Sequence, residues 1–170
     1  MRLFAALFVL STALTTPVMA APAPHVAASS FDQLKQPLPY PYDETADARA
    51  AIAKARALAI RQHKLLLIDF GGNWCADCRI LAGTMDLPEV KAFVSKHYVE
   101  VTVDVGRFDK NLDIWQSYGQ PPRPKGVPPL LVIEPRGNTV INRGRVTALE
   151  DARSMSPQAL ADWLAQWTKQ

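Results

Sequence analysis

Leu65-Leu66-Leu67-Ile68-Asp69-Phe70-Gly71-Gly72-Asn73-Trp74-Cys75-Ala76-Asp77-Cys78 is the stretch whose reading decides the fold. Its first six residues form a short apolar run, of the length and composition of a strand buried on both faces. Gly71-Gly72 breaks that run. A helix is expected to begin at the cysteines, which are the only two in 170 residues. Their spacing puts both sulfurs on one face of a first helical turn, within bridging reach. Residue chemistry leaves three readings of such a pair: half of a zinc site, a small structural disulfide, or a dithiol that opens and closes. Zinc asks for four ligands, and His25, His63 and His97 are scattered without ligand spacing. A structural disulfide gains little from so short a loop, because cross-link stabilisation grows with loop length.

Upstream of the stretch, a helical pattern is expected from Asp43 to about Gln62-His63-Lys64. Ala48, Ile52, Ala55 and Ala59 share a stripe, and Asp47, Arg49, Lys54 and Arg56 lie off it. Residues 21–42 carry Pro22, Pro24, Pro37, Pro39 and Pro41. They read as a tether or an extended wrap, which Phe31, Tyr40 and Tyr42 would pin to the domain. The first residues, with Arg2, an apolar region from Leu3 to Leu14 and Val18-Met19-Ala20, read as a signal peptide cut after Ala20. The apolar run is short for a membrane span, so no stable membrane insertion is expected after cleavage. The expected compartment is the bacterial periplasm or the exterior, where disulfides persist.

Downstream, Gly83 is a point where the helix that begins at the cysteines would kink or stop. A second helix start is visible at Asp86, with Pro88 in its first turn and Glu89 placed as in a capping box. Tyr98 to Val105 alternates as a strand. Asp109 to Tyr118 has helical spacing, and Gln120 to Lys125 is a proline-rich loop. Pro129 to Glu134 and Thr139 to Val146 read as two strands joined by a turn at Pro135-Arg136-Gly137-Asn138. Ser156-Pro157 opens a last helix, with Leu160, Trp163, Leu164 and Trp167 on one stripe. This order implies an α/β fold: a four-stranded mixed sheet with helices on both faces. The division is 1–20 signal peptide, 21–42 Pro-rich segment and 43–170 domain. The formal net charge of +3 falls to +2 without Arg2, and there is no dense basic block. Nucleic acid is therefore not expected as a partner.

At this point the chain resembles the thioredoxin superfamily over roughly Asp43 to Gln170. Asp69-Phe70 followed by Trp74-Cys75-x-x-Cys78 is similar to the family's strand-to-active-site segment. Val127-Pro128-Pro129-Leu130 is similar to its cis-proline loop, with Pro128 in the cis position. Lys64-Leu65-Leu66-Leu67 and Asp86-Leu87-Pro88-Glu89-Val90 resemble the secreted bacterial thioredoxin-like group, which includes the C-terminal domain of the periplasmic thiol:disulfide interchange reductase. With these features the redox reading of the cysteine pair is preferred.

The resemblance implies a thiol-disulfide oxidoreductase with no cofactor beyond the Cys75–Cys78 pair and no metal. Cys75, at a helix N-terminus that stabilises a thiolate, would be the nucleophile. Cys78 would resolve the mixed disulfide. Asp69, a buried carboxyl whose pKa burial should raise, would assist proton transfer at Cys78. Trp74, Val127 and Pro128 would contact substrate, the Val127 backbone pairing with an extended chain. Partners would be protein disulfides and a thiol electron donor.

Four departures from thioredoxin stand out. Pro129 replaces a threonine, Gly83 stands at the place of a helix-kinking proline, and Glu100 falls at the place of the lysine that partners the buried aspartate. Asp77 lies between the cysteines. Its charge is expected to raise the Cys75 pKa and so to favour the oxidised pair, which points to a reductase. A disulfide oxidase or isomerase, and a non-catalytic binding or metal-handling module, are the alternatives on this scaffold.

Overall fold

The computed structural model describes residues 20–168. The expected signal peptide therefore lies, apart from Ala20, outside the described residues. The first helix, α1 (Ala48–Gln62), starts five residues later than the pattern from Asp43 implies. Asp47 sets the boundary: its carboxylate accepts from the Ala50 N–H, which ties off an orphan donor of the first turn. His63, at φ 55°, ends the helix in a left-handed turn. The apolar run is β1 (Leu65–Gly71), which carries one residue further than Phe70. Then follow α2 (Ala76–Met85), α3 (Pro88–His97), β2 (Tyr98–Asp104), α4 (Leu112–Ser117), β3 (Leu130–Glu134), β4 (Thr139–Val140) and α5 (Pro157–Ala165).

The sheet order is β2-β1-β3-β4, with β1 parallel to β2 and antiparallel to β3. It is the four-stranded mixed sheet expected from the element order. Alternation along β1 sends Leu66, Ile68 and Phe70 into one core with Ile52, Ala55 and Ala59 of α1 and Trp115 of α4. Leu67 points the other way, into a core with Leu81 of α2, Val90 and Phe93 of α3, and Leu160, Trp163 and Leu164 of α5. With both faces covered, β1 is buried along nearly its whole length, which is why its sequence is a run rather than an alternation.

Three local expectations change. Gly83 does not end α2, which runs through it to Met85. A Cβ there would lie 2.9 Å from Leu38 and 3.3 Å from Leu34, so glycine admits the N-terminal segment against the helix. Asp86 caps the end of α2 rather than the start of α3, and Leu87 holds the α3 N-cap position. Glu89 accepts from the Ala27 N–H instead of closing a capping box. The partner strand from Thr139 to Val146 is reduced to two residues. Past Val140 and Ile141, the buried Asn142 side chain takes over the pairing: its Oδ1 accepts from Val132 N at 3.0 Å and its Nδ2 donates to Leu130 O at 2.8 Å. A side-chain amide thus substitutes for a rung of backbone ladder.

Residues 20–42 wrap the α2–α3–α5 side and enter its core. Ala21 and Val26 are buried there. The wrap is fastened by Ala21 N to Thr168 O, Val26 N to Gln158 Oε1 and Ala27 N to Glu89 Oε1.

Candidate active site

The site assembles where β1 ends and α2 begins. Cys75 is the N-cap of α2, and its sulfur accepts from the Cys78 N–H at 3.2 Å. The thiol in turn donates to the Val127 carbonyl at 3.4 Å. The Cys75 thiol is held below the ordinary cysteine value. The largest cause is its side-chain hydrogen bond with Cys78, and the Cys78 N–H adds to it, while burial and the Asp77 charge push the other way. Cys78, one turn in, is fully buried. Burial, with Cys75 and Asp69 adding, pushes its thiol far up. The two sulfurs therefore differ in kind: the outer thiol is shifted toward ionisation, and the inner is shifted away from it.

Asp69 is close enough to Cys78 for its charge to act on the thiol. It shares a face of β1 with Leu67 and is 2 % exposed. Burial raises its carboxyl well above the carboxylate range; Glu100 and Cys75 add to the rise, and a hydrogen bond from Tyr42 opposes it. Glu100 pairs with Leu67 in the β1–β2 register, two positions from the Asp69–Thr102 pair, and so lies on the same face. Although the residue is exposed at the sheet edge, packing around its carboxyl pushes it up to about 7, with Asp86 adding and Lys91 opposing. Where a lysine would have steadied an ionised Asp69, a second acid favours the protonated form.

Asp77 departs from the expectation placed on it. It is buried, and its carboxylate is gripped by Arg153 from the turn Ala152–Ser154. Arg153 Nη2 donates to Oδ2 at 2.5 Å, Nε to both oxygens at 3.0 and 3.1 Å, and the Arg153 backbone N–H to Oδ1 at 2.9 Å. Burial alone would raise the Asp77 pKa; the Arg153 contacts outweigh it and hold the carboxyl low. The charge that was to raise Cys75 is thus met by a guanidinium, and the net shift at Cys75 is downward.

Trp74 is 41 % exposed, and its indole N–H donates to Gly106 O at 2.7 Å. Its ring meets Phe108 edge-on at 6.0 Å and lies under the Arg107 guanidinium at 4.6 Å. It is a fixed aromatic surface beside Cys75 rather than a core residue. The Val127–Pro128 bond is cis, and Pro129 follows it directly into β3. Three cavities, of about 340, 380 and 640 Å³, lie elsewhere: beside His63 and Trp167, between Pro39 and Glu100, and beside His25. None of the three is lined by Cys75. Cys75, itself 5 % exposed, lies next to the exposed Trp74 ring and a backbone carbonyl, an arrangement that suits a polypeptide substrate.

The site residues Cys75, Cys78, Asp69, Trp74, Val127 and Pro128 are thus gathered around one point. The sequence reading missed two others, Arg153 and Tyr42. Arg153 is 76 residues from Asp77 with no motif to link them. Tyr42 was read as a pin for the wrap, without a place in the site.

A thioredoxin-like family model matches residues 47–135, which include β1, both cysteines and the Val127–Pro128 turn. The chain belongs to the thioredoxin-like family. It is similar to a crystal structure described as a disulphide isomerase from Xylella fastidiosa Temecula1. The two are 40 % identical with a TM-score of 0.69, over 75 % of this chain and 96 % of the other. A 50-residue segment is 40 % identical to thioredoxin-2 of Pyricularia oryzae, covering 27 % of this chain and about a quarter (26 %) of that protein's length.

Proposed function

We propose that this thioredoxin-like protein is a periplasmic thiol:disulfide oxidoreductase that reduces disulfides in protein substrates through Cys75 and Cys78. The observation that carries the reading is the asymmetry of the pair: an ionisable Cys75 at a helix N-terminus, and a buried Cys78 beside the raised carboxyl of Asp69. Cys75 thiolate attacks a substrate disulfide and forms a mixed disulfide, expelling one substrate sulfur. Cys78 then gives its proton to Asp69 and attacks Cys75 Sγ. The Cys75–Cys78 bond forms, the bond to substrate breaks, and the second substrate sulfur leaves as a thiolate that is protonated from water. The substrate gains two electrons and the pair becomes a disulfide, which an external thiol donor must reduce again. A built-in base for Cys78 serves this resolving step, and that step is what makes the outcome reduction. Trp74 and the Val127 backbone would seat the substrate chain. The compartment rests on the signal-peptide pattern of residues 1–20 and on the use of two cysteines as an exchanging pair.

Disulfide isomerisation is the second reading. It is favoured by the Arg153 grip on Asp77, which leaves the Cys75 thiolate, and hence the dithiol form, better stabilised than the sequence implied. The similarity to a protein described as a disulphide isomerase points the same way. Equilibration of the Cys75/Cys78 couple in a glutathione or dithiothreitol series separates the readings. A reductase is expected below about −200 mV, an isomerase near about −180 mV, and a value near about −120 mV would contradict both.

A further inference from the structure

The N-terminal wrap ends inside the active site. Residues 38–42 are held by the segments that flank the cysteines. Arg79, one residue past Cys78, donates to Leu38 O at 2.7 Å and to Pro39 O at 3.1 Å, and its guanidinium lies 4.0 Å over the Tyr40 ring. Asn73, two residues before Cys75, accepts from Tyr42 N at 3.1 Å and donates to Tyr42 O at 2.8 Å. Thr102, the register partner of Asp69, donates to Pro41 O at 2.9 Å. Five side-chain hydrogen bonds thus hold a strap of five residues, and its last member is aimed inward. Tyr42 is 3 % exposed, and its hydroxyl donates to Asp69 Oδ1 at 2.9 Å. The fit is tight: a Cβ on Gly71 would lie 2.3 Å from the Tyr42 hydroxyl and 2.8 Å from Cys78 Sγ, so glycine at the end of β1 is required for the two to meet there.

A residue whose only task was to fasten the wrap would not need its hydroxyl on a buried acid. Tyr40, two residues earlier, fastens from the outside with its ring against Arg79. We infer that Tyr42 is a positioning residue for the resolving step, holding the Asp69 carboxyl in the orientation that takes the Cys78 proton. The inference rests on the reaction proposed above. Tyr42 commits one carboxylate oxygen, and its hydroxyl also lies against the Cys78 thiol, so it fixes the acid and the thiol relative to one another. Proton transfer within the buried site is thereby set by the N-terminal wrap, a segment that lies before the 47–135 region shared with the family.

The groups that face Asp69 are Tyr42 from the strap, Cys75 and Cys78 from the start of α2, and Glu100 from β2. No cation is among them. The Tyr42 hydrogen bond favours the carboxylate against burial and the Glu100 charge. Without it the acid keeps its proton to higher pH, and its base form is reached later along the pH axis.

The test is Tyr42→Phe, which keeps the ring and removes only the hydroxyl. Reduced protein is mixed with excess 5,5′-dithiobis(2-nitrobenzoate) in a stopped-flow instrument. The first aromatic thiolate released reports attack by Cys75, and the second reports displacement by Cys78. In Tyr42→Phe the first phase is expected within about twofold of wild type. The second phase is expected to slow about tenfold at neutral pH, with its pH midpoint moved upward. A second phase with wild-type rate and wild-type midpoint would overturn the inference. So would equal slowing of both phases, which a loosened fold would produce. If Cys75→Ser kept the first phase, the proposed reaction itself would fail, and the role of Tyr42 with it.

Discussion

Two segments from outside the active-site strand and helix reach the cysteine pair, and each meets a different end of it. The Val127–Pro128 turn, just before β3, presents a carbonyl to Cys75. The strap that ends at Tyr42 presents a hydroxyl to Asp69, beside Cys78. The first contact is buried beside the exposed Trp74 ring, on the side where a substrate chain would come. The second is buried, where no substrate can reach. In the reaction proposed above the work would divide accordingly: exchange chemistry at Cys75, proton management around Cys78 and Asp69. Arg153 belongs to the outer half, since it neutralises Asp77 beside the helix start that carries Cys75.

The inner half gives the sharpest way to break this division. In Asp69→Asn the Cys78 proton has no acceptor, so resolution should slow by about 10²-fold while attack by Cys75 is little changed. Equal loss in both steps would mean that depth does not separate them. The same variant carries a stability signature. The folded Asp69 pKa is raised above its unfolded value of about 3.9, so its favourable contribution is complete below that value and is lost as pH rises through the folded pKa. Asp69→Asn should therefore match wild type in urea unfolding near pH 4 and exceed it increasingly toward pH 8.

The outer half predicts a smaller effect. In Arg153→Ala the buried Asp77 charge is left to act on Cys75. The Cys75 pKa should rise, visible as a higher pH midpoint for its alkylation by iodoacetamide, and the second aromatic-thiolate phase should stay as in wild type. An unchanged midpoint would show that the Cys78 hydrogen bonds alone set the Cys75 thiol.

The outer half was also the more legible in the sequence. β1 declares itself by an apolar run, α2 by cysteines at helical spacing, and α5 by Ser156 and Pro157, whose serine does accept from Ala159 N. These are local patterns, and local physics produces them. What could not be read depends on one side chain meeting another far along the chain. Tyr42 sits in a proline-rich stretch with no periodicity, so nothing marks its hydroxyl as internal. Asp77 read as a bare charge because Arg153 is remote in sequence. Thr139 to Val146 read as a strand because a buried asparagine that replaces backbone pairing looks, in sequence, like any polar residue of a strand.

The central claim is that Cys75 attacks and Cys78 resolves. Mass spectrometry of Cys78→Ser and Cys75→Ser after each is mixed, reduced, with insulin tests it most directly. Cys78→Ser should accumulate a stable insulin adduct mapped to Cys75, and Cys75→Ser should carry none and reduce no insulin. An adduct on Cys78 in Cys75→Ser, or wild-type turnover in either variant, would contradict the account.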